Sequence, residues 1–423
     1  MREKGKKTIF YGWIIVICCM LLSASSGIIS GVLSAFFKPV SERLQVSRSA
    51  FSLTSTVINL TIMLTMPIVA KTLKRVPLKR TIILSASICS LCIFCLSFMK
   101  ALPGFYVLSA ICGFFSCFMN AVPIVILTSN WFIEKRGIAT SIAFSGMGLS
   151  SMLLTPVVAR LIEVVSWQTA YRVVGIAFFL LSVPSTLLLV YETPTLRGEK
   201  PLGFKENSAD TAANLEGFAH DQIFRLKSFW CFAAAILLIP LTSYGIQQHA
   251  ISYWSDLGYS ATQAASWYSL MMAVGIASKA SMGAVYEKFK IKKATAFVCL
   301  TAALSYILLL YCEKPVILLT TVVLFGVSSG IQITPPTYVT NQLFGNRDYS
   351  TNYATITMIY YMGIAVGVPF AGFCYDYFHS YRPAWYLYSF LMLTVLALVF
   401  AAEHMAGKEW LKAFGHTYDG KKT

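Results

Sequence analysis

The sequence predicts an all-α membrane protein of twelve transmembrane helices in two pseudo-symmetric six-helix bundles. Three observations carry that prediction. Of 423 residues, 57% are hydrophobic and 12% charged, with a mean hydropathy of +0.66, far more apolar than a soluble globular chain. The apolar residues gather into runs of about 20, each long enough to cross roughly 30 Å of hydrocarbon as a helix. One long polar segment divides these runs six and six.

The first six runs fall near 9–37, 50–70, 80–99, 104–128, 138–162 and 169–191. The second six fall near 229–254, 264–286, 294–312, 315–338, 351–375 and 384–403. They are continuously apolar rather than alternating at period two, which excludes a closed β-barrel. Between them lies "ETPTLRGEKPLGFKENSADTAANLEGFAHDQIFRLKS", rich in charge, Gly, Asn and Ser. The expected division is therefore a first bundle over 1–192, a cytoplasmic linker over 193–228, a second bundle over 229–405 and a cytoplasmic tail over 406–423.

The two halves answer each other. "MPIVAKTLKRVPLKRTIIL" after the second run matches "SMGAVYEKFKIKKATAFV" after the eighth, and Gly113 to Pro123 has the spacing of Gly326 to Pro336. "NWFIEKRG" and "NQLFGNRD" follow each proline, and "SWQTAYR" is answered by "SYRPAWY". Parallel six-span repeats are the architecture of carriers that rock two halves around a midplane site.

The net charge of +16 does not indicate nucleic acid, because it sits in alternate loops. With the N-terminus inside, about 25 Lys and Arg face the cytoplasm and about 8 face outward, the positive-inside bias. "REKGKK", "KTLKRVPLKR" and "EKFKIKK" are in the inward set. The first apolar run is too long for a cleavable signal peptide. Short tails and a compact linker point to a bacterial inner membrane, crossed many times with both termini cytoplasmic. The eleven cysteines fall almost wholly within the runs, where they pack as small apolar residues. "CSLCIFC" (Cys89, Cys92, Cys95) lacks a nearby His or acid to complete a metal site. Enzyme motifs such as HExxH or a P-loop are missing, so neither catalysis nor a cofactor is expected.

The chain resembles the major facilitator superfamily. The signature after the eighth run appears as Gly283, Glu287 and Lys288, while the first copy departs with Ala70 and Lys74. Within that superfamily it is similar to the monocarboxylate transporters and the oxalate:formate antiporter group. The carrying stretches are "YGW", "FFKPVSERLQVSRSAFSL", "NAVPIVILTSNWFIEKRGIATSIAFSGMGLSS", "RLKSFW" and "HAISYWSDLGYSATQAAS". The resemblance implies a major facilitator fold and a cation in the eighth span that meets the substrate carboxylate. That cation is usually Arg, and its position here is Lys279. An acid four residues earlier is replaced by Gly275, and the lysine of the family's first span falls at Gly31.

Lys279 also stands out on physical grounds. A lysine near the bilayer centre costs roughly 2.5 to 3.5 kcal/mol on insertion scales. It lies roughly 12 Å along the helix from Glu287, further than its stem snorkels comfortably. It either meets an anionic substrate or pairs with backbone carbonyls. As a point charge without the fork of Arg, it suits small or singly charged acids.

Other polar groups that lipid penalises are Gln247, Gln248, Asn59, Asn120, Gln332, Tyr360 and Tyr361, each either lining a cavity or bonding a neighbouring helix. His249 is the one histidine deep in a span, with a substrate role and a structural hydrogen bond both open. Gly146, Gly148 and Pro156 serve close packing and bending. Glu287, Lys288, Lys135 and Arg136 sit at cytoplasmic helix ends, as gate contacts or as topology determinants.

No Asp or Glu lies near mid-span: Glu163, Glu287, Asp376 and Glu403 are all at helix ends. An empty carrier holding Lys279 charged crosses slowly, because the charge must be desolvated. The expectation is a transporter of small monocarboxylates or dicarboxylates by alternating access, working by exchange or linked to protons. Its partners are that anion and the lipid bilayer, and it functions as a monomer. Efflux of apolar or cationic compounds predicts an intramembrane acid, which is missing. A non-transporting sensor would add a signalling domain to one of the short tails.

Overall fold

The computed structural model describes residues 10–73, 75–203, 216–345 and 347–416. The "REKGKK" start, Lys74, the centre of the linker and the last residues of the tail lie outside the described residues. Helices account for nearly all of the rest. The first bundle contains α1 (Gly12–Ser30), α2 (Arg48–Thr72), α3 (Leu78–Leu96), α4 (Leu102–Trp131), α5 (Arg136–Val164) and α6 (Trp167–Leu189). The second contains α7 (Lys227–Asp256), α8 (261–289), α9 (291–308), α10 (Pro315–Phe344), α11 (Tyr349–Phe378) and α12 (Arg382–Phe414).

Among the described residues, eleven helical stretches are long and apolar enough to cross a membrane. One of them, Ala261–Tyr311, is 51 residues long, about twice what a bilayer needs. It breaks at Lys290, where φ is 63° and ψ 172°, so α8 and α9 are separate spans and the expected twelve are recovered. Two expected boundaries move. α1 ends at Ser30 and gives way to a 3₁₀ turn (Val32–Phe36) and a short helix (Phe37–Leu44). α12 runs on to Phe414, past the expected start of the tail.

α4 and α10 are both interrupted in mid-course. α4 is helical to Ser116 and resumes at Ala121. α10 is α-helical to Ser328, 3₁₀ over Ser329–Gln332 and π-helical over Pro335–Val339. The prolines explain both breaks. Pro123 cannot donate to the carbonyl of Met119, nor Pro335 and Pro336 to those of Ile331 and Gln332, so the ladder opens one turn before each proline.

Close packing relies on small residues, since lipid supplies no hydrophobic drive between helices. A Cβ on Gly146 would lie 2.0 Å from the Met20 carbonyl of α1, and one on Gly367 would lie 2.0 Å from the Leu241 carbonyl of α7. These glycines seat α5 on α1 and α11 on α7. Leucines such as Leu64, Leu91, Leu180 and Leu188 are more than half exposed, as expected where the solvent is hydrocarbon. The two bundles meet along two seams, α2 with α11 and α5 with α8. We call the end where α1 begins and α12 finishes the terminal face, and the other end the distal face.

Candidate functional site

Lys279 lies in mid-α8, within a tightly fixed stretch. Gly275 faces Ser329 of α10 (2.9 Å from a built Cβ to Oγ), Ser278 Oγ donates to the Val327 carbonyl at 2.5 Å, and Ile276 packs on Gly148 of α5. Four residues after Gly275 and three after Ile276, Lys279 falls between the face on α10 and the face on α5. It is half-buried, and among the described residues it makes no hydrogen bond or ion pair. Met272 lies on the same face, and its sulfur accepts from Gln247 of α7 at 3.8 Å. Gln247 also donates to the Tyr268 hydroxyl at 3.2 Å.

The interruption of α4 turns Asn120 towards the second bundle. Asn120 and Tyr361 line one small cavity together with Ile62, Met66, Ser116 and Cys117. The Asn120 Oδ1 atom is buried without a partner. Tyr361 continues into an aromatic series, 6.2 Å from Tyr360, which is 6.3 Å from Tyr244. At the break in α10, Gln332 is buried with both amide atoms unpartnered. A buried polar atom left unsatisfied costs about 1–3 kcal/mol, so both breaks present groups that gain from a polar guest. Asn59 does not share this property, because its amide donates to the Ser55 carbonyl of its own helix at 2.7 Å.

Gln248 and His249 point to the distal face. Gln248 Nε2 donates to the Ser30 carbonyl at the end of α1 at 3.0 Å, joining the bundles. His249 is fully buried, with Nε2 2.9 Å from the Val368 carbonyl and Nδ1 3.1 Å from the Tyr381 hydroxyl. A carbonyl only accepts, so Nε2 carries the proton and Nδ1 accepts from Tyr381. The Tyr381 oxygen accepts in turn from Arg48 Nη1 at 2.9 Å.

Arg48, in the first turn of α2, is the centre of the distal closure. Its guanidinium grips both oxygens of Asp256 at the end of α7, at 2.5 and 3.0 Å, and lies 3.8 Å over the Tyr375 ring. Lys38 adds a second cation to Asp256 at 2.7 Å. Sequence reasoning assigned no role to Arg48, Asp256, Lys38 or Tyr381. The one available signal was the position of Lys38, Arg48 and Asp256 within the family-like stretches after the first and seventh runs, and of Tyr381 in the repeated "SYRPAWY".

The terminal face differs. Lys135, Glu287 and Lys288 are exposed and make no ion pair among the described residues, and the Arg136 side chain lies outside them. Among the described residues no polar tie joins α2, α4 or α5 to α8 or α11 at this end. The polar ties between the bundles among the described residues thus lie at the distal face.

Gly31 follows the end of α1. A Cβ there would come 2.2 Å from Ser151 Oγ and 3.2 Å from the Tyr268 hydroxyl. Position 31, where the resemblance implies a lysine, is closed off by Ser151 in this state.

Residues 16–367 match the family described as the Major Facilitator Superfamily. The chain belongs to that superfamily. Monocarboxylate transporter 12 from Rattus norvegicus is 23% identical over 415 residues, covering 90% of this chain and 83% of the relative. Among solved structures, a bacterial homolog of the human lysosomal transporter Spinster, inward-facing and unoccupied, aligns with a TM-score of 0.74 at 14% identity. It covers 96% of this chain and 99% of that one. The nucleoside transporter NupG aligns with a TM-score of 0.70 at 12% identity, covering 94% and 99%. At these identities the structural likeness shows the fold. This major facilitator protein is a transporter in a membrane, not an enzyme.

Proposed function

We propose that this transporter carries small carboxylates by alternating access, with Lys279 as the anion anchor. The observation that carries the reading is a lysine half-way along a transmembrane helix with no partner for its charge among the described residues. A membrane chain keeps such a group where a ligand compensates it. The similarity to monocarboxylate transporter 12, a protein named for that substrate class, supports the same reading. Asn120 and Tyr361, from opposite bundles, supply a second polar contact, and Gln332 a third.

On this reading the described state is one stage of the cycle, closed at the distal face by the Arg48–Asp256 contacts. The Lys and Arg count supports a cytoplasmic terminal face, and on that reading this stage is closed to the outside. Glu287, Lys288, Lys135 and Arg136 are the proposed gate contacts of the stage in which the bundles have rocked the other way. Gln248 and His249 act in the distal closure in this state and come within reach of substrate when it parts.

The mechanism we favour is exchange. With Gly275 in place of an acid, an empty site leaves the charge of Lys279 uncompensated during reorientation, and a bound carboxylate removes that penalty. In proteoliposomes, exchange against internal acid should outpace uptake into empty vesicles by about tenfold or more. Equal rates would refute the exchange mechanism. Proton linkage has one observation in its favour, the placement of His249 in the closure. Uptake driven by a pH gradient and lost in His249→Ala would favour it over exchange.

A further inference from the structure

We propose that Glu163 and Asp376 form a reciprocal latch on the distal face, each carboxylate capping the first turn of a helix in the other bundle. Asp376, near the end of α11, accepts from the backbone N–H groups of Arg48 and Ser49 at 3.0 and 2.8 Å. Glu163, near the end of α5, accepts from the Thr262 N–H at 3.0 Å and from its hydroxyl. One acid therefore holds the α2–α11 seam and the other the α5–α8 seam.

The first N–H groups of a helix have no partner within it and carry partial positive charge, so a carboxylate there satisfies both needs. Each helix supplies its own cap for one amide only. Ser47 Oγ accepts from Ala50 N at 3.1 Å, and Ser260 Oγ accepts from Gln263 N at 3.1 Å. The preceding amides, at Arg48 and Ser49 in α2 and at Thr262 in α8, are left to the acid from across the seam.

The two caps are copies. Glu163 and Asp376 are 213 positions apart, as are Ser47 and Ser260, Ser49 and Thr262, and Gly113 and Gly326. A chance surface contact would not recur in the register of the duplication. Repeated across a pseudo-two-fold axis, the two caps break together when the bundles rock apart at this face. Glu163 and Asp376 are thus positioning residues for alternating access. The proposal rests on the transporter fold and not on the identity of the cargo.

The test is amide hydrogen exchange by mass spectrometry on the full chain in nanodiscs, reading residues 48–51 and 261–265 separately. A two-fold latch predicts that Glu163→Ala speeds exchange by about fivefold, the loss of one cap, at both segments. Asp376→Ala should do the same at both. Exchange of the two acids, Glu163→Asp with Asp376→Glu, should restore protection at both. If an alanine variant does not accumulate, Glu163→Gln and Asp376→Asn give the same comparison. Loss of protection only at the segment each acid touches, or at neither, would overturn the latch.

Discussion

The guanidinium of Arg48 and the carboxylate of Asp256 pair at 2.5 and 3.0 Å although 208 positions separate them in the chain. The pair joins the start of α2 to the end of α7, and so one bundle to the other. Arg48 is 9% exposed and Asp256 22%, so water screens the contact incompletely.

Lysine cannot reproduce the two-pronged grip of arginine on a carboxylate. Arg48→Lys should therefore loosen the distal face, and Asp256→Asn should do so more, because it leaves Arg48 and Lys38 without their shared anion. The expected outcome is labelling of a cysteine placed at Ser34 by a membrane-impermeant thiol reagent, in both variants and not in the parent. Absence of labelling in both would mean that the pair does not control closure.

Gly31 tests the packing of the end of α1 on α5. Gly31→Ala forces a Cβ against Ser151 and should cost about 1–3 kcal/mol by overpacking. Thermal unfolding in detergent should show a lowered midpoint, with Gly31→Lys lower still. An unchanged midpoint in Gly31→Lys would show that the position relaxes freely.

His249 holds the ring of contacts from the other side. His249→Phe keeps the ring volume but removes the donor to the Val368 carbonyl and leaves the buried Tyr381 O–H without its acceptor, at a cost of about 1–3 kcal/mol. The variant should unfold at lower temperature and expose the distal face. Stability equal to the parent would remove His249 from the closure.

The span count and the two-bundle plan were legible in the sequence because lipid imposes them: every span must be a long apolar helix. The breaks in α4 and α10 had a signal in Pro123 and Pro336, whose missing N–H groups free carbonyls one turn earlier. Lys279 was conspicuous for the cost of burying its charge. The meeting of Asn120 with Tyr361 was not legible, since each is an ordinary polar residue until the bundles bring them to one cavity. The Arg48–Asp256 pair was hidden for a related reason. Charged residues in loops usually face water, and only the packing of α11 against both α2 and α7 sets these two in contact.

The most direct test of carboxylate carriage is counterflow in proteoliposomes with labelled lactate, formate and oxalate, run side by side on the parent and Lys279→Gln. The account predicts flux of at least one acid in the parent and its loss in the variant, with the variant folded as judged by its thermal midpoint. Equal flux in both proteins would make Lys279 a structural residue, and no flux of any acid in the parent would contradict carboxylate carriage itself.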